Sequence, residues 1–335
     1  MIINKIFTNR SNNLLPSWHV VYEWEDVFAQ KLDLEFFDYE AKYNNPNTLS
    51  IQNKIINSYK INNLTSYFRK FLNIESKYKL VFLLSPPAEY SFLTNSKMLP
   101  IIIDFWKQSD IKRLNFIFKN TKTVFITSLE VYNYLKSVDC QFHISHLPFS
   151  ISDIYKNKAY PEKDIDIIQT GRQNSVINSY IDKLLEKYPD IEYVSQNKEK
   201  GMFNYFSNKK GNLGSFTSRE EYIKLLSRAK ICLLSSPGID NGVNRTGGFN
   251  PVTPRFLESA VNYCYMLGRY ADNEDYNYYG ISEICPNIDD YNSFEKNVIN
   301  MLSIKFNKFE EYDKFLERHY TSKRVEQFIE IVKNL

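Results

Sequence analysis

The chain has 335 residues, 43% of them hydrophobic, with 42 Lys and Arg against 39 Asp and Glu for a formal net charge of +3. That length suits two cores of ordinary size, and the near-balanced charge excludes the dense basic stripe that a nucleic-acid partner demands. No apolar run reaches the roughly 18 to 20 residues that cross a bilayer, and the start, MIINKIFTNR, lacks signal-peptide architecture, so a cytoplasmic protein is expected.

In chain order, residues 2–9 (IINKIFTN) read as a strand and WEDVFAQKL as a helix. KLVFLLS (79–85) is a buried strand followed by the loop SPPAEY; LPIIID (99–104) and TVFITS (123–128) repeat the form, and the helix SLEVYNYLKSV follows. Near-continuous apolar runs between helices imply parallel strands covered on both faces. The stretch INSYKINNLTSYFRKFLNIESKYK mixes basic and aromatic residues. It reads either as ordinary domain surface or as a peripheral contact with an anionic membrane.

The pattern restarts after the linker SISDIYKNKAYPEKD. DIDIIQTGR (164–172) is a strand ending at Gly171 and Arg172, NSVINSYIDKLLEKY an amphipathic helix, and IEYV a short strand. SREE (218–221) forms a capping box for EYIKLLSRA, which runs into the strand KICLLSS, and YCYML gives another strand. The fold class predicted is α/β, with two Rossmann-like doubly wound domains facing across a cleft at the carboxyl ends of their sheets. The expected division is 1–150, a linker 151–161, a second domain 162–310, and terminal helices 311–335 that pack back on the first domain.

The densest signal is NGVNRTGGFNPVTPRFLESAVNYCYML, residues 241–267. Arg245, Thr246, Gly247 and Gly248 form a glycine-containing basic loop. Thr253 is placed to cap a helix through its hydroxyl, with Pro254 at the first helical position. Arg255 and Glu258 are three apart on the first turn, beside free N–H groups and the positive end of the dipole. A guanidinium there reads phosphate, and a carboxylate one turn deeper accepts from a ribose diol. The alternative is a solvated ion pair on an ordinary helix start.

The four cysteines and four histidines lack metal spacing; His143 and His146 and the Asp164-Ile165-Asp166 triplet read as structural, so no metal is predicted. Candidates for a catalytic base in the first half are Asp104, at the end of a strand, and His19 and Glu23, between the first strand and its helix. Each has a bland counterpart, as cap, packing group or surface charge.

Four elements over roughly 160–335 carry a resemblance: the strand ending TGR, the helix REEYIKLLSRAK before KICLLSS, the PRFLESA helix start, and His319-Tyr320 with Lys323-Arg324. Together they resemble the GT-B glycosyltransferases, nearest to the spore-coat-protein-like group with its Pro-Arg-x-(Phe/Leu)-Glu helix. The resemblance implies a nucleotide-sugar donor held by the second domain and a glycan or lipid-linked acceptor held by the first. It implies Glu258 facing the cleft on the ribose. Arg255, Thr253 and the 245–249 loop would lie near the diphosphate, with Gly171 and Arg172 on its other side. It further implies a metal-independent hexosyl transfer in bacterial surface polysaccharide (capsule or O-antigen) synthesis, in the cytoplasm or at the inner face of the membrane. Asn250 stands where many retaining members carry a second glutamate. Tyr263 stands where a glycine usually follows the helix, which leaves Asn262 to supply the left-handed ending. The rival expectations are a catalytically silent nucleotide- or carbohydrate-binding homologue and an NAD-dependent oxidoreductase. The latter would need a G-x-G-x-x-G turn that the first strand lacks.

Overall fold

A computed structural model describes residues 2–11, 16–39, 77–87, 92–94, 96–106, 109–156, 159–199, 202–216 and 218–335. The INSYK to KYK stretch therefore lies outside the described residues except for its last three. The chain divides into two compact units, one of residues 1–148 with 321–335 and the other of residues 149–320.

Unit 1 is built on a six-stranded sheet in the order β2-β1-β3-β4-β5-β6, in which every pairing is parallel. Its strands are β1 (Ile3–Thr8), β2 (Glu35–Asp38), β3 (Tyr78–Leu83), β4 (Met98–Ile102), β5 (Val124–Ile126) and β6 (Ile144–His146). The central strands are apolar on both faces because helices cover both; Leu80, Val81, Leu99, Ile102 and Phe125 are all sealed from solvent. Helix α1 (Pro16–Leu32) starts well before the Trp24 expected from sequence, so His19 and Glu23 are helical residues rather than loop residues. Asp110 caps α2 (Ile111–Phe118), and Ser128 caps α3 (Leu129–Ser137).

Unit 2 carries the order β10-β9-β8-β7-β11-β12. The strands β7 (Ile165–Gln169), β11 (Ala229–Ser235) and β12 (Tyr265–Arg269) run parallel, with β8 (Tyr193–Glu199) parallel to β7. An antiparallel extension, β9 (Met202–Ser207) and β10 (Gly211–Ser215), was not expected from sequence. Asn174 caps α4 (Ser175–Lys187), whose Ile177, Ile181 and Leu184 face the core. The capping box of Ser218 and Glu221 starts α5 (Arg219–Ser227) as the sequence predicts. A single turn, α6 (Val243–Thr246), precedes α7 (Pro254–Val261). Two further helices, α8 (Glu274–Tyr279) and α9 (Tyr291–Ser303), follow β12.

The carboxyl-terminal segment splits between the units. Helix α10 (Phe309–Glu317) stays with unit 2, because the buried Tyr312 hydroxyl donates to the Cys264 carbonyl at 2.9 Å. Helix α11 (Thr321–Lys333) belongs to unit 1, with the Phe328 ring 5.4 Å from Phe28 and 5.0 Å from Phe125. Only residues 321–335, not 311–335, thus return to the first unit. Both sheets are doubly wound: the chain reverses its direction of travel between β1 and β3 in unit 1 and between β7 and β11 in unit 2. The carboxyl ends of strands at such a reversal leave a crevice that ligands use.

Candidate functional site

The reversal in unit 2 gathers several of the residues singled out from sequence. Gly171 lies two residues past β7 with φ of +76°, and its N–H donates to the Gln196 side-chain oxygen at 2.5 Å. Against Gly171 lies Arg255, from the first turn of α7, whose Nη1 donates to the Thr170 carbonyl at 2.6 Å. A Cβ on Gly171 would lie 1.8 Å from that nitrogen, so glycine is required on steric as well as conformational grounds.

Glu258 is one turn deeper, on the same helix, and is closely enclosed. It is only 3% exposed. One oxygen accepts from Arg219 Nη1 at 2.5 Å and the other from the Tyr222 hydroxyl at 2.9 Å. The Tyr222 oxygen lies 3.2 Å from Thr170 Oγ1. One polar chain thus runs from Arg219 through Glu258, Tyr222 and Thr170 to Arg255. Burial, reinforced by the Glu258 charge, pushes the Tyr222 phenol well above its ordinary value and raises Tyr205 in the same way.

Thr253 also departs from expectation. Its hydroxyl makes no cap; Phe256 N–H instead bonds the Thr253 carbonyl at 3.2 Å, leaving Thr253 Oγ1 buried without a partner. An orphaned buried hydroxyl at a helix N-terminus can still donate and accept a hydrogen bond. At the other end of α7 the left-handed residue is Tyr263, φ +49°, whereas Asn262 has φ of −98° and uses its amide on the Glu258 carbonyl at 2.8 Å.

The 238–250 loop folds on itself. The side-chain oxygen of Asn250 accepts from Gly238 N–H at 2.9 Å and its amide nitrogen donates to the Gly248 carbonyl at 2.7 Å. Thr246 is wholly buried and accepts from Gly248 N–H at 3.2 Å, while Gly247 and Gly248 have φ of +66° and +96°. Arg245 is exposed and donates to the Pro237 carbonyl at 2.8 Å; Arg172 is exposed at the turn after β7. Within the loop, Asp240 receives Arg269 through two bonds, at 2.8 and 2.9 Å, and the Asn174 amide at 2.8 Å. These contacts hold the Asp240 carboxyl below its ordinary range against the opposing effect of burial.

In unit 1 the base candidates sit on two elements. Asp104 is two residues beyond β4, its N–H bonded to the Leu84 carbonyl at 2.7 Å, and the helix-capping role that competed for it belongs to Asp110. His19 and Glu23 are half-buried on α1. A carboxyl unassigned from sequence, Glu25 of α1, reaches the end of β1: it is 2% exposed and accepts from Thr8 Oγ1 at 2.7 Å and Arg10 at 2.8 Å. Burial outweighs those contacts and raises it to about 7. His143 bonds Thr123 at 2.9 Å, Asp164 pairs with Arg228, and Asp166 with Lys230, all within secondary structure or at its ends. Among the described residues no three His, Cys, Asp or Glu side chains converge as metal ligands.

Arg219, Tyr222 and Gln196 also went unassigned from sequence. Arg219 and Tyr222 carried one usable signal, their three-residue spacing on the helix that the capping box starts; Gln196, inside a polar strand end, carried none.

Neither a family model nor a curated protein matches the chain. Among solved structures it is similar to the pneumococcal O-GlcNAc transferase GtfA in complex with UDP and GlcNAc, at 10% identity over 81% of this chain and 59% of that one, TM-score 0.47. It is also similar to the glycotransferase of kitacinnamycin (10% identity, 98% of each chain, TM-score 0.42). A third is a protein described as a UDP-N-acetylglucosamine 2-epimerase from Listeria monocytogenes (10% identity, 99% and 96%, TM-score 0.46). The chain spans about three-fifths of the length of GtfA. Likeness at this level assigns the chain no activity and no ligand.

Proposed function

We propose that the chain is a nucleotide-sugar-dependent glycosyltransferase of the GT-B kind, with unit 2 as its donor-binding half. The observation that carries this reading is the convergence, at the strand-order reversal of unit 2, of Arg255, the orphaned Thr253 hydroxyl and the Glu258 carboxylate on one helix start. A diphosphate would engage the α7 N-terminus, Thr253 and Arg255 once that guanidinium leaves the Thr170 carbonyl. Glu258 would take the ribose hydroxyls. In the transfer, an acceptor hydroxyl oxygen bonds to the anomeric carbon as the bond to the diphosphate oxygen breaks. The electron pair leaves on the diphosphate, where fixed positive groups and N–H donors stabilise it, and the hydroxyl proton passes to a base. Asp104, His19 and Glu23 are the candidates for that base in unit 1, which would hold a glycan or lipid-linked glycan of a bacterial surface polysaccharide. No metal enters this scheme, since Arg255 and backbone donors supply the positive charge. Among the described residues no helix is long and apolar enough to cross a membrane. A peripheral contact is supported instead by α2 and its following turn, where Lys112, Arg113, Lys119 and Lys122 are exposed around Phe116, itself 38% exposed.

The test is thermal shift and titration calorimetry with UDP, GDP, dTDP and NAD, followed by nucleoside diphosphate release from the corresponding nucleotide sugars. Stabilisation by NAD but by no nucleoside diphosphate overturns the reading. A second reading, a silent nucleotide-binding homologue, is favoured by Asn250: the bonds of its amide to Gly238 and Gly248 place it in the service of the loop rather than of a sugar. Donor binding without turnover or slow donor hydrolysis would select that reading.

A further inference from the structure

A carboxylate that grips two neighbouring hydroxyls needs its plane fixed, and α5 holds that plane from one face. Arg219 and Tyr222 are three residues apart there, so they project side by side. The Arg219 guanidinium carbon lies 5.7 Å from the Tyr222 ring centre, which keeps the two side chains in one stack. The Arg219 and Glu258 side chains are 10% and 4% exposed, so little water competes for their 2.5 Å contact.

An ionised carboxylate only accepts, so the Tyr222 hydroxyl must be the donor in its 2.9 Å contact with Glu258, and Thr170 must donate to Tyr222 across their 3.2 Å contact. Burial and the Glu258 charge keep the phenol protonated and fit for that role. Arg219 and Tyr222 each occupy one lone pair on different oxygens. A carboxylate has about four such sites, so each oxygen keeps acceptor capacity beyond these two contacts. The other end of the chain, the Thr170 carbonyl, is where Arg255 rests at 2.6 Å.

We propose that Arg219 and Tyr222 are positioning residues that orient Glu258 toward a ribose diol, so that the preference for ribonucleoside over 2′-deoxyribonucleoside diphosphates depends on the Tyr222 hydroxyl. The inference rests on the donor-site reading given above. It assigns to α5 the discrimination between sugars of the nucleotide, a task separate from holding the diphosphate.

Titration calorimetry on the full chain tests it, with UDP against 2′-deoxy-UDP and GDP against 2′-deoxy-GDP. The wild type is expected to favour the ribose form by about tenfold, the worth of one hydrogen bond to a charged group. Tyr222→Phe keeps the buried ring and should bring that ratio close to one while leaving the affinity for inorganic pyrophosphate unchanged. Arg219→Lys keeps the buried charge without the planar fork and should retain part of the ratio, which provides a second reading should Tyr222→Phe fold poorly. A Tyr222→Phe protein with the wild-type ratio, or one that loses both forms and pyrophosphate equally, overturns the proposal and makes Tyr222 a packing residue. A wild type that binds none of the four nucleotides overturns the donor-site reading along with it; binding with an unchanged ratio overturns the inference alone.

Discussion

The guanidinium of Arg255 fills the space beside Gly171 that a side chain would need, and the two residues come from opposite ends of unit 2's central architecture, 84 positions apart in sequence. Gly171→Ala must therefore adopt φ of +76° and also displace Arg255 from the Thr170 carbonyl. The expected cost is about 1–2 kcal/mol, part backbone and part lost hydrogen bond. In an Arg255→Ala background the second part disappears, so a urea-unfolding double-mutant cycle should show a coupling of roughly 0.5–1 kcal/mol. Additive costs would mean that the two side chains do not meet.

Removal of Glu258 does more than remove a ligand contact. Glu258→Ala removes the buried carboxylate that Arg219 pairs with, with an expected loss of about 3–5 kcal/mol. Exchange of both partners for apolar residues, Arg219→Met with Glu258→Leu, should recover most of that stability, yet nucleoside diphosphate binding should stay absent. Far-ultraviolet circular dichroism in urea reads the first effect and calorimetry the second. A Glu258→Ala protein within about 1 kcal/mol of wild type would show that Arg219 has another anion at hand.

How far these relationships could be read from sequence depended on whether one element or two created them. Parallel strands such as KICLLSS announce themselves because both faces are buried, whereas β2, with Glu35 and Phe36 exposed, and β9, with Phe206 48% exposed, look like surface chain until their neighbours pair with them. Arg255, Glu258 and Gly171 were legible as residue types at a helix start and a strand end. The burial of Arg219 was not, because the Ser218–Glu221 capping box already accounted for that turn as an exposed helix start, and only the approach of α5 to α7 turns its first residue inward. Thr253 and Tyr263 show the converse: local rules named a cap and a left-handed asparagine, and backbone geometry around Pro254 and Asn262 settled both otherwise.

Asn250 gives a test of the loop. Asn250→Asp keeps the acceptor for Gly238 N–H but sets a carboxylate oxygen against the Gly248 carbonyl in place of a 2.7 Å hydrogen bond. The expected loss is about 1–3 kcal/mol locally, visible as faster hydrogen exchange in peptides spanning 236–250. Unchanged exchange would remove the loop-closing role of the amide.

The exposed face of α2 predicts salt-sensitive adsorption to anionic vesicles. No acidic residue occurs from Ile111 to Lys122, and the Lys119 ammonium sits 4.6 Å from the centre of the Phe116 ring. Each cation near an anionic surface contributes about 1 kcal/mol. Sedimentation with phosphatidylglycerol vesicles should lose at least tenfold in Lys112→Ser with Lys119→Ser, and a further few-fold with Phe116→Ser. Equal sedimentation of all variants, or none of the wild type, would remove α2 from any membrane contact.

Two groups in unit 1 should oppose each other as pH changes. Glu25, raised from 4.5 to about 7, holds a proton in the folded state that the unfolded chain has already released, so its contribution is present below about 4.5 and fades as pH rises through 7. His146, lowered from 6.5 to about 4 first by burial and then by Arg324, behaves in the opposite sense: its contribution is present above about 6.5 and is lost as pH falls through 4. Between about 4.5 and 6.5 the folded state carries one extra proton on Glu25 and lacks one on His146, and the two slopes cancel. Stability in that window is therefore expected to be nearly flat with respect to these groups. Glu25→Gln should expose a rise with pH of up to about 1.4 kcal/mol per unit, and His146→Gln a fall of similar size. All three tryptophans, Trp18, Trp24 and Trp106, lie in unit 1, so tryptophan fluorescence in urea follows this unit alone. Parallel pH profiles for wild type and Glu25→Gln would mean that the Arg10 and Thr8 contacts, not burial, decide the state of Glu25.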